Sequence, residues 1–231
     1  MIKETPILFS TAMAQAILNG TKTMTRRVIK PQPVVDEESG YTFVGHHSKQ
    51  MGIHNWKEEL LKECRFGIPG DRIWVRETHY RYGSWHKQWN EKKGKSVMVF
   101  TPDSQFTEVR YFDNPPAVIE KRRKSTAGWY KRPSIHMPMK YCRIWLEMVS
   151  IEIEQLQDIT EKDAKAEGVK TNSINGTDEA NGEWWNYTAV DYDDFPCFSA
   201  KESFESLWQS INGQESWDEN PWVWVIEFKK L

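Results

Sequence analysis

A lysine and a threonine three residues apart, Lys22 and Thr25, follow a glycine in the segment GTKTMTRR, residues 20–27. A threonine hydroxyl becomes a nucleophile when a base removes its proton, and a desolvated lysine with a lowered pKa can be that base. Positions three apart on a regular strand face opposite sides, so both side chains can address one ligand only if Lys22 precedes the strand. Gly20 favours such a turn. The K-x-x-T spacing is common, and the simpler interpretation is a solvated lysine followed by a threonine that favours a strand.

A second candidate for chemistry is Glu167, which ends a predicted helix directly before Gly168. A carboxylate there faces the negative end of the helix dipole, which disfavours its charged form by about 0.3 kcal/mol or more. A carboxyl group that must give or take a proton benefits from such a position. The simpler alternative is a tolerated surface glutamate.

Other polar side chains are candidates for contacts with a ligand. Arg26 and Arg27 are expected on opposite sides of a strand, so that one can bind an anion or a base edge while the other is solvated. The segment PSIHMP, residues 133–138, holds Ser134 and His136 between two prolines. A fixed backbone of this kind is typical of binding loops, although a lone histidine is more often structural.

The composition argues against several classes of protein. The 231 residues carry a net charge of −2, so only a local patch such as KRRK at 121–124 points to nucleic-acid phosphates. The three cysteines form no Cys-x-x-Cys motif, and His46 and His47 lack further ligands at metal spacing, so no metal or disulfide is predicted. With neither a signal peptide nor a run of about 18 apolar residues, we expect a cytoplasmic protein without a membrane partner.

Two or three helices and a larger number of strands must position these residues. The short strands and the absence of a βαβ rhythm predict an α+β fold in which a mostly antiparallel sheet closes into a small barrel. The expected helices lie at 11–19, 159–169 and 201–213, and the expected strands at 6–9, 23–29, within 67–80, at 143–156 and at 221–231.

Side-chain periodicity assigns a buried face to two of these elements. In the strand at 143–156, Val149, Ile151 and Ile153 alternate with polar residues and are expected on one face. In the last helix, the apolar residues spaced three and four apart are Phe204, Leu207, Trp208 and Ile211. Three stretches without a clear pattern, at about 31–66, 80–140 and 170–200, are interpreted as insertions in a single domain that spans 1–231.

Four segments resemble the ASCH domain family, a small β-barrel related to the PUA fold of RNA-modifying proteins. AILNGTKTMTRR is similar to the family's helix, glycine and K-x-x-T opening, and PGDRIWVRE to its G-D strand. LQDITEKDAKAEGV is similar to its acid-bearing helix, and PWVWVIEFKKL to its closing strand. Longer proteins with the phrases TRR, PGDRIWVRET, PSIHMP and NPWVWVIEF are frequent in phage and prophage genomes.

The resemblance implies a function, because the family includes a bacterial N4-acetylcytidine amidohydrolase with a lysine, threonine and glutamate set. Those catalytic roles fall on Lys22, Thr25 and Glu167, and the arginine after the threonine falls on Arg27. The expected partner is a small N4-acylated cytidine or cytosine, and neither a cofactor nor a metal is implied. The residues expected to contact the substrate are Arg26, Arg27, Arg76, Glu77, Ser134 and His136, with Tyr80 or Trp85 stacking on the base.

Two alternative functions, both of which involve RNA, stay open. The PUA relationship implies an RNA-binding module that holds a base without cleaving a bond, and ribonuclease activity is also associated with the family. Both would make RNA a partner, and both need clustered Lys and Arg side chains for the phosphates. The oligomeric state is left open by the sequence.

Overall fold

A computed structural model describes residues 2–44, 49–118, 126–170, 185–187 and 197–231. The predicted α+β class, with mostly antiparallel strands and few helices, is confirmed. Within the described ranges, every helix falls short of the length and apolar character that crossing a bilayer requires. The chain divides into two compact units: Met1–Thr5, Gln15–Ile73 and Trp145–Leu231 form the first, and Pro6–Ala14 and Trp74–Ile144 form the second.

The helices in the described ranges are α1 (Thr11–Leu18), α2 (Trp56–Leu61), α3 (Glu161–Ala166) and α4 (Ala200–Asn212). The strands are β1 (Glu4–Leu8), β2 (Met24–Val28), β3 (Pro33–Asp36), β4 (Tyr41–Val44), β5 (Lys49–Gly52), β6 (Arg72–Arg76), β7 (His79–Asn90), β8 (Lys95–Pro102), β9 (Val109–Arg110), β10 (Gly128–Arg132), β11 (Trp145–Gln155) and β12 (Trp222–Lys230). The predicted helices and the predicted strands outside the three patternless stretches are all present.

The main sheet has the strand order β1-β6-β11-β12-β2, and the boundary between the units passes through β1 and β6. Strand β12 pairs antiparallel with both β11 and β2. Four successive residues of β12, Val223–Ile226, are buried, because this strand is covered on both faces. Alternation along β12 therefore describes which face each residue occupies but not whether that face is buried.

One core layer of the first unit packs α3 and α4 against this sheet. Its buried members include Ala164 of α3, Phe204 and Trp208 of α4, and Val223 and Val225 of β12. Helix α4 begins at its cap Ser199, whose side chain accepts a hydrogen bond from the backbone N–H of Glu202. The prediction for Ile211 is wrong: this side chain is 57% exposed, because it lies in the last turn of α4, beyond the part that packs on the sheet.

Strand β11 contains an irregularity that its sequence does not reveal. The register with β12 shifts between Met148 and Ser150, which leaves Val149 as the extra residue of a bulge. Met148 and Ile153 are buried, but Val149 is 45% exposed. The expectation that Val149 shares a buried face with Ile153 is wrong, because the bulge resets the alternation.

The stretch 31–66 has more regular structure than its sequence suggests. Strands β3, β4 and β5 form a separate antiparallel sheet, and α2 follows them. Each of these strands has only four residues, which is too short for a period of two to be recognised.

The second unit contains long strands in the stretch 80–140, which has no clear sequence pattern. Strand β7 has twelve residues and pairs antiparallel with β8, β9 and β10. The aromatic residues of this stretch pack together: Trp85, Phe100 and Tyr130 lie within 6.2 Å of one another, measured between ring centroids. Their packing explains why the region is rich in aromatic residues.

The close approach of β7 and β8 predicts a strict requirement at Gly83. A Cβ atom there would lie 2.3 Å from the backbone oxygen of Thr101 and 2.9 Å from Cα of Pro102. Because backbone atoms cannot move aside cheaply, we expect Gly83→Ala to lower the free energy of unfolding by about 2 kcal/mol in urea titrations. The control is Gly52→Ala in β5, where a Cβ atom meets nothing within 4 Å. Equal stability of the two variants would contradict this account.

Candidate functional site

The turn that carries Lys22 connects α1 to β2. Gly20 has φ +78°, and the backbone N–H groups of Thr21 and Lys22 both donate to the carbonyl of Ala16, at 2.9 and 3.1 Å. The N–H of Thr23 then donates to the carbonyl of Ala166 in α3, at 2.9 Å. Strand β2 begins only at Met24, so the condition that Lys22 precede the strand is met.

A buried ion pair joins this turn to the end of α3. Lys22 Nζ donates to Glu167 Oε2 and to the backbone carbonyl of the same residue, both at 2.7 Å. The side-chain exposures are 0% for Lys22 and 4% for Glu167. The two residues are 145 positions apart in the chain, and the fold therefore brings together two of the three predicted catalytic residues.

The backbone around Glu167 explains why the carboxyl group points at Lys22. Thr160 caps the N-terminus of α3, Glu167 is its C-cap residue, and Gly168 reverses the chain with φ +78°. Lys22 approaches the helix end whose carbonyls carry partial negative charge, which is where a cation is stabilised. The electrostatic disadvantage expected for Glu167 at this position is thus offset by a cation on the same helix terminus.

Burial sets the protonation behaviour of Lys22. Desolvation lowers the pKa of Lys22 below its ordinary value, and the positive charges of Arg27 and Arg26 lower this pKa further. The carboxylate of Glu167 opposes them, but desolvation is the largest effect. A neutral amine is the form in which a lysine can accept a proton.

Arg26, one of the residues expected to contact the substrate, lies among carboxylates of the protein itself. Its Nε donates to Glu154 Oε1 at 2.8 Å, and its second terminal nitrogen lies 3.3 Å from Asp163 Oδ2. Its first terminal nitrogen lies 3.5 Å from Glu167 Oε1, and its Cζ lies 5.9 Å from the ring centroid of Phe204. The side chain has 0% exposure, so the guanidinium is committed to three carboxylates of the protein.

Thr25 and Arg27 occupy the other face of β2, since successive strand residues alternate. Thr25 is buried and lies opposite Ile226 in the β12 register, and Arg27 lies opposite Trp224. Burial lowers the pKa of Arg27, and the charge of Glu167 raises it. Arg27 therefore belongs electrostatically to the same site as the ion pair.

The remaining four predicted contact residues belong to the second unit. Arg76 donates to the backbone carbonyl of Ile135, and its Cζ lies 5.6 Å from the ring centroid of Trp74. Ser134 is half-buried and His136 is exposed, both in a short 3-10 turn that follows Pro133. Their contact with a substrate stays a prediction.

Glu77 is the buried acid of the second unit. Both of its carboxylate oxygens accept hydrogen bonds from Arg143, at 2.8 Å from Nε and 3.0 Å from a terminal nitrogen. Arg143 also donates to Asp113 Oδ2 at 2.6 Å. The Glu77 side chain is 1% exposed, and its contact with a substrate stays a prediction.

Sequence reasoning missed the residues that surround the predicted set. Glu154, Asp163 and Arg143 carry no local motif, and Asp163 is recognisable only as a member of the helix cap. One signal could have identified Glu154 as part of the site, namely a charged residue at an inward-facing position of a strand. Among the described residues, no cluster of three or more His, Cys, Asp or Glu side chains is placed to hold a metal ion.

In comparisons with known proteins, no family model, curated protein or solved structure matches this chain.

The close packing of Gly168 against Lys22 predicts that a side chain at position 168 lowers stability. A Cβ atom on Gly168 would lie 2.9 Å from Lys22 Cβ and 3.2 Å from Ala16 Cβ. Gly20 has the same φ of +78° but open space around its Cα, so Gly20→Ala carries the backbone strain alone. We expect Gly168→Ala to destabilise the protein by about 1 kcal/mol more than Gly20→Ala in urea unfolding. Equal losses would show that Lys22 is loosely held.

His79, at the start of β7, predicts a loss of stability in acid. Burial and the positive charges of Arg132, Arg81 and His136 lower its pKa from 6.5 to about 4. Between these pH values the unfolded chain binds a proton that the folded chain does not, so stability falls as the pH falls through this window. We expect this residue to account for about 2 kcal/mol of the decrease.

Urea titrations at several pH values test the role of His79. His79→Phe should lack this part of the acid-induced loss, and the control His54→Phe, at an exposed histidine of the first unit, should retain it. An unchanged pH profile in His79→Phe would contradict the assignment.

Proposed function

We propose that this protein is an amidohydrolase that removes the acyl group from the exocyclic nitrogen of N4-acetylcytidine or a related N4-acylated cytosine nucleoside. The observation that carries the proposal is the buried 2.7 Å hydrogen bond between Lys22 Nζ and Glu167 Oε2. An uncompensated charge at this depth is costly, and a lysine that loses its proton easily is suited to proton transfer. Thr25, three residues from Lys22, is the proposed nucleophile.

The pair acts as a proton store in this proposal. At rest it holds one proton on Lys22, and transfer across the hydrogen bond leaves a neutral amine and a carboxylic acid. The amine is then the general base for the Thr25 hydroxyl, and the acid is the donor for the leaving nitrogen. The release of the leaving nitrogen therefore needs no proton from solvent.

The reaction then proceeds in two balanced steps. Lys22 Nζ takes the Thr25 proton as Oγ1 bonds to the acyl carbon. The bond from that carbon to the exocyclic nitrogen breaks as Glu167 protonates the nitrogen, which releases cytidine and leaves an acyl-threonine. After a second transfer within the pair, Lys22 takes a proton from water, the hydroxide attacks the acyl carbon, and Glu167 protonates the departing Thr25 oxygen.

The two arginines next to Thr25 take different roles. Arg26 lies 3.5 Å from Glu167 Oε1, so it holds the carboxyl group with Oε2 directed at Lys22. Arg27 is half-buried on the Thr25 face of β2 and is the arginine proposed to contact the substrate.

The proposed function comes with a proposed fold, the PUA-like ASCH barrel. Its support is the element order: a strand, the helix α1, the Lys22 turn and β2 in succession, then the acid-bearing α3, and finally β12, which returns to pair with β2. The competing candidates, an RNA-binding module or a ribonuclease, depend on a basic patch formed by KRRK at 121–124 and WYKRPS at 129–134. The first segment lies outside the described residues, and the second includes the exposed Lys131 of β10.

Turnover of N4-acetylcytidine tests the proposal directly. We expect cytidine release, measured by chromatography, to fall at least about 100-fold in Glu167→Gln and in Thr25→Val. Thr25→Ser is the matched control, because it keeps the hydroxyl and should retain activity within about tenfold. Full activity in Thr25→Val would assign the attack to water activated by Lys22 and Glu167, and no turnover of acetyl or larger acyl substrates would overturn the proposal.

The role of Lys22 is tested with a double variant. Lys22→Met alone would leave Glu167 buried without its cation, which would lower the free energy of unfolding by about 3 kcal/mol or more. The double variant Lys22→Met with Glu167→Leu removes both charges and should unfold in urea at nearly the wild-type concentration. We expect this folded double variant to be inactive. RNA binding or RNA cleavage without deacylation would favour the competing candidates.

A further inference from the structure

A second cluster of charged residues lies in the second unit, on β7 and in the turn before β11. Arg81 of β7 is 5% exposed, and its Cζ lies 4.3 Å from the ring centroid of Tyr141. Lys140 Nζ lies 5.0 Å from the same centroid, and the His79 ring lies 6.4 Å from it. Two cations and a neutral imidazole therefore surround one tyrosine.

The cations of this cluster have no carboxylate partner among the residues that the structure describes. No ion pair within 4.0 Å involves Arg81 or Lys140, and the buried Nε of Arg81 makes no hydrogen bond there. Two acids of this unit, Glu77 and Asp113, are both engaged by Arg143. A nearly buried guanidinium without an anion is energetically costly, which points to a counter-ion supplied from outside the chain.

Two neighbouring groups report the same positive field. Burial acts to raise the pKa of Tyr141, but hydrogen bonds and charges from Arg81 and Lys140 outweigh it and lower this pKa. The pKa of His79 is held at about 4, first by burial and then by the charges of Arg132, Arg81 and His136. Both shifts are in the direction that an excess of positive charge produces.

We propose that Arg81, Lys140 and the Tyr141 hydroxyl form a binding site for a phosphate group. A phosphate offers several oxygens at tetrahedral directions, and a planar guanidinium fork, a mobile ammonium and a phenol can each donate to a different one. Lys140 is exposed and Tyr141 half-buried, so the site opens at these two residues. This proposal does not depend on the amidohydrolase activity.

Inorganic phosphate is the first probe, titrated against the whole chain at low salt and followed by calorimetry. We expect saturable binding with a dissociation constant below about 10 mM, in the range of a few charge-assisted hydrogen bonds. Lys140→Ala and Tyr141→Phe should each weaken binding about tenfold. Arg81→Lys keeps the positive charge but loses the planar guanidinium, and it should also weaken binding about tenfold. If Arg81→Lys does not fold, Lys140→Ala and Tyr141→Phe are sufficient for the test.

Lys131→Ala is the matched control, because Lys131 is an exposed lysine of β10 whose side chain alternates away from Tyr130 and Arg132. It changes the net charge equally and should alter phosphate affinity by less than about twofold. Absence of saturable binding, or an equal loss in Lys131→Ala, would overturn the proposal.

Two further titrations identify the source of the phosphate. Tighter binding of cytidine 5′-monophosphate than of inorganic phosphate, lost in Lys140→Ala, would assign the site to a nucleotide. Tighter, strongly salt-dependent binding of a single-stranded oligonucleotide, lost in the same variant, would assign it to a nucleic-acid backbone. Either result supports a phosphate site.

Discussion

The buried ion pair between Lys22 and Glu167 is the constraint on which the first unit depends. Removing two charges from water is costly, and the cost is offset only when the geometry is close and further hydrogen bonds complete the pair. The short turn after α1, the C-terminus of α3 and the absent side chain of Gly168 all serve that geometry. Arg26 completes it by holding the second oxygen of Glu167 from the opposite side of β2 to Thr25.

The two units handle buried charge in opposite ways. In the first, three carboxylates face three basic side chains, because Glu154, Asp163 and Glu167 lie beside Lys22, Arg26 and Arg27. In the second, Arg143 pairs with Glu77 and Asp113, and Arg81 is left with an aromatic ring and a hydroxyl. Coupled acidic and basic groups suit a site that moves protons, whereas cations without a paired carboxylate suit a site that holds an anion. Charge distribution therefore separates the two regions more clearly than their secondary structure does.

Local signals in the sequence were sufficient for the elements that carry the proposed chemistry. The turn at Gly20, the helix at 159–169 and the strand at 221–231 each depend on residues next to one another, and each is present in the structure. The bulge at Val149 and the exposure of Ile211 depend on what packs against those residues, which no local pattern contains. The same holds for the site: Lys22 and Glu167 could be proposed from their motifs, but Glu154 and Arg143 meet their partners only through the fold.

The pairing of β2 with β12 has a consequence for the order of events during synthesis. β2 ends at Val28, and β12, the strand to which it is hydrogen-bonded, begins only at Trp222. A chain still attached to the ribosome can form the turn after α1 early, but it cannot fix the strand that carries Thr25 until β12 has emerged. Until then, the edge of β2 that later pairs with β12 lacks that neighbouring strand, so the nascent chain is open to chaperones and to misassociation over this interval.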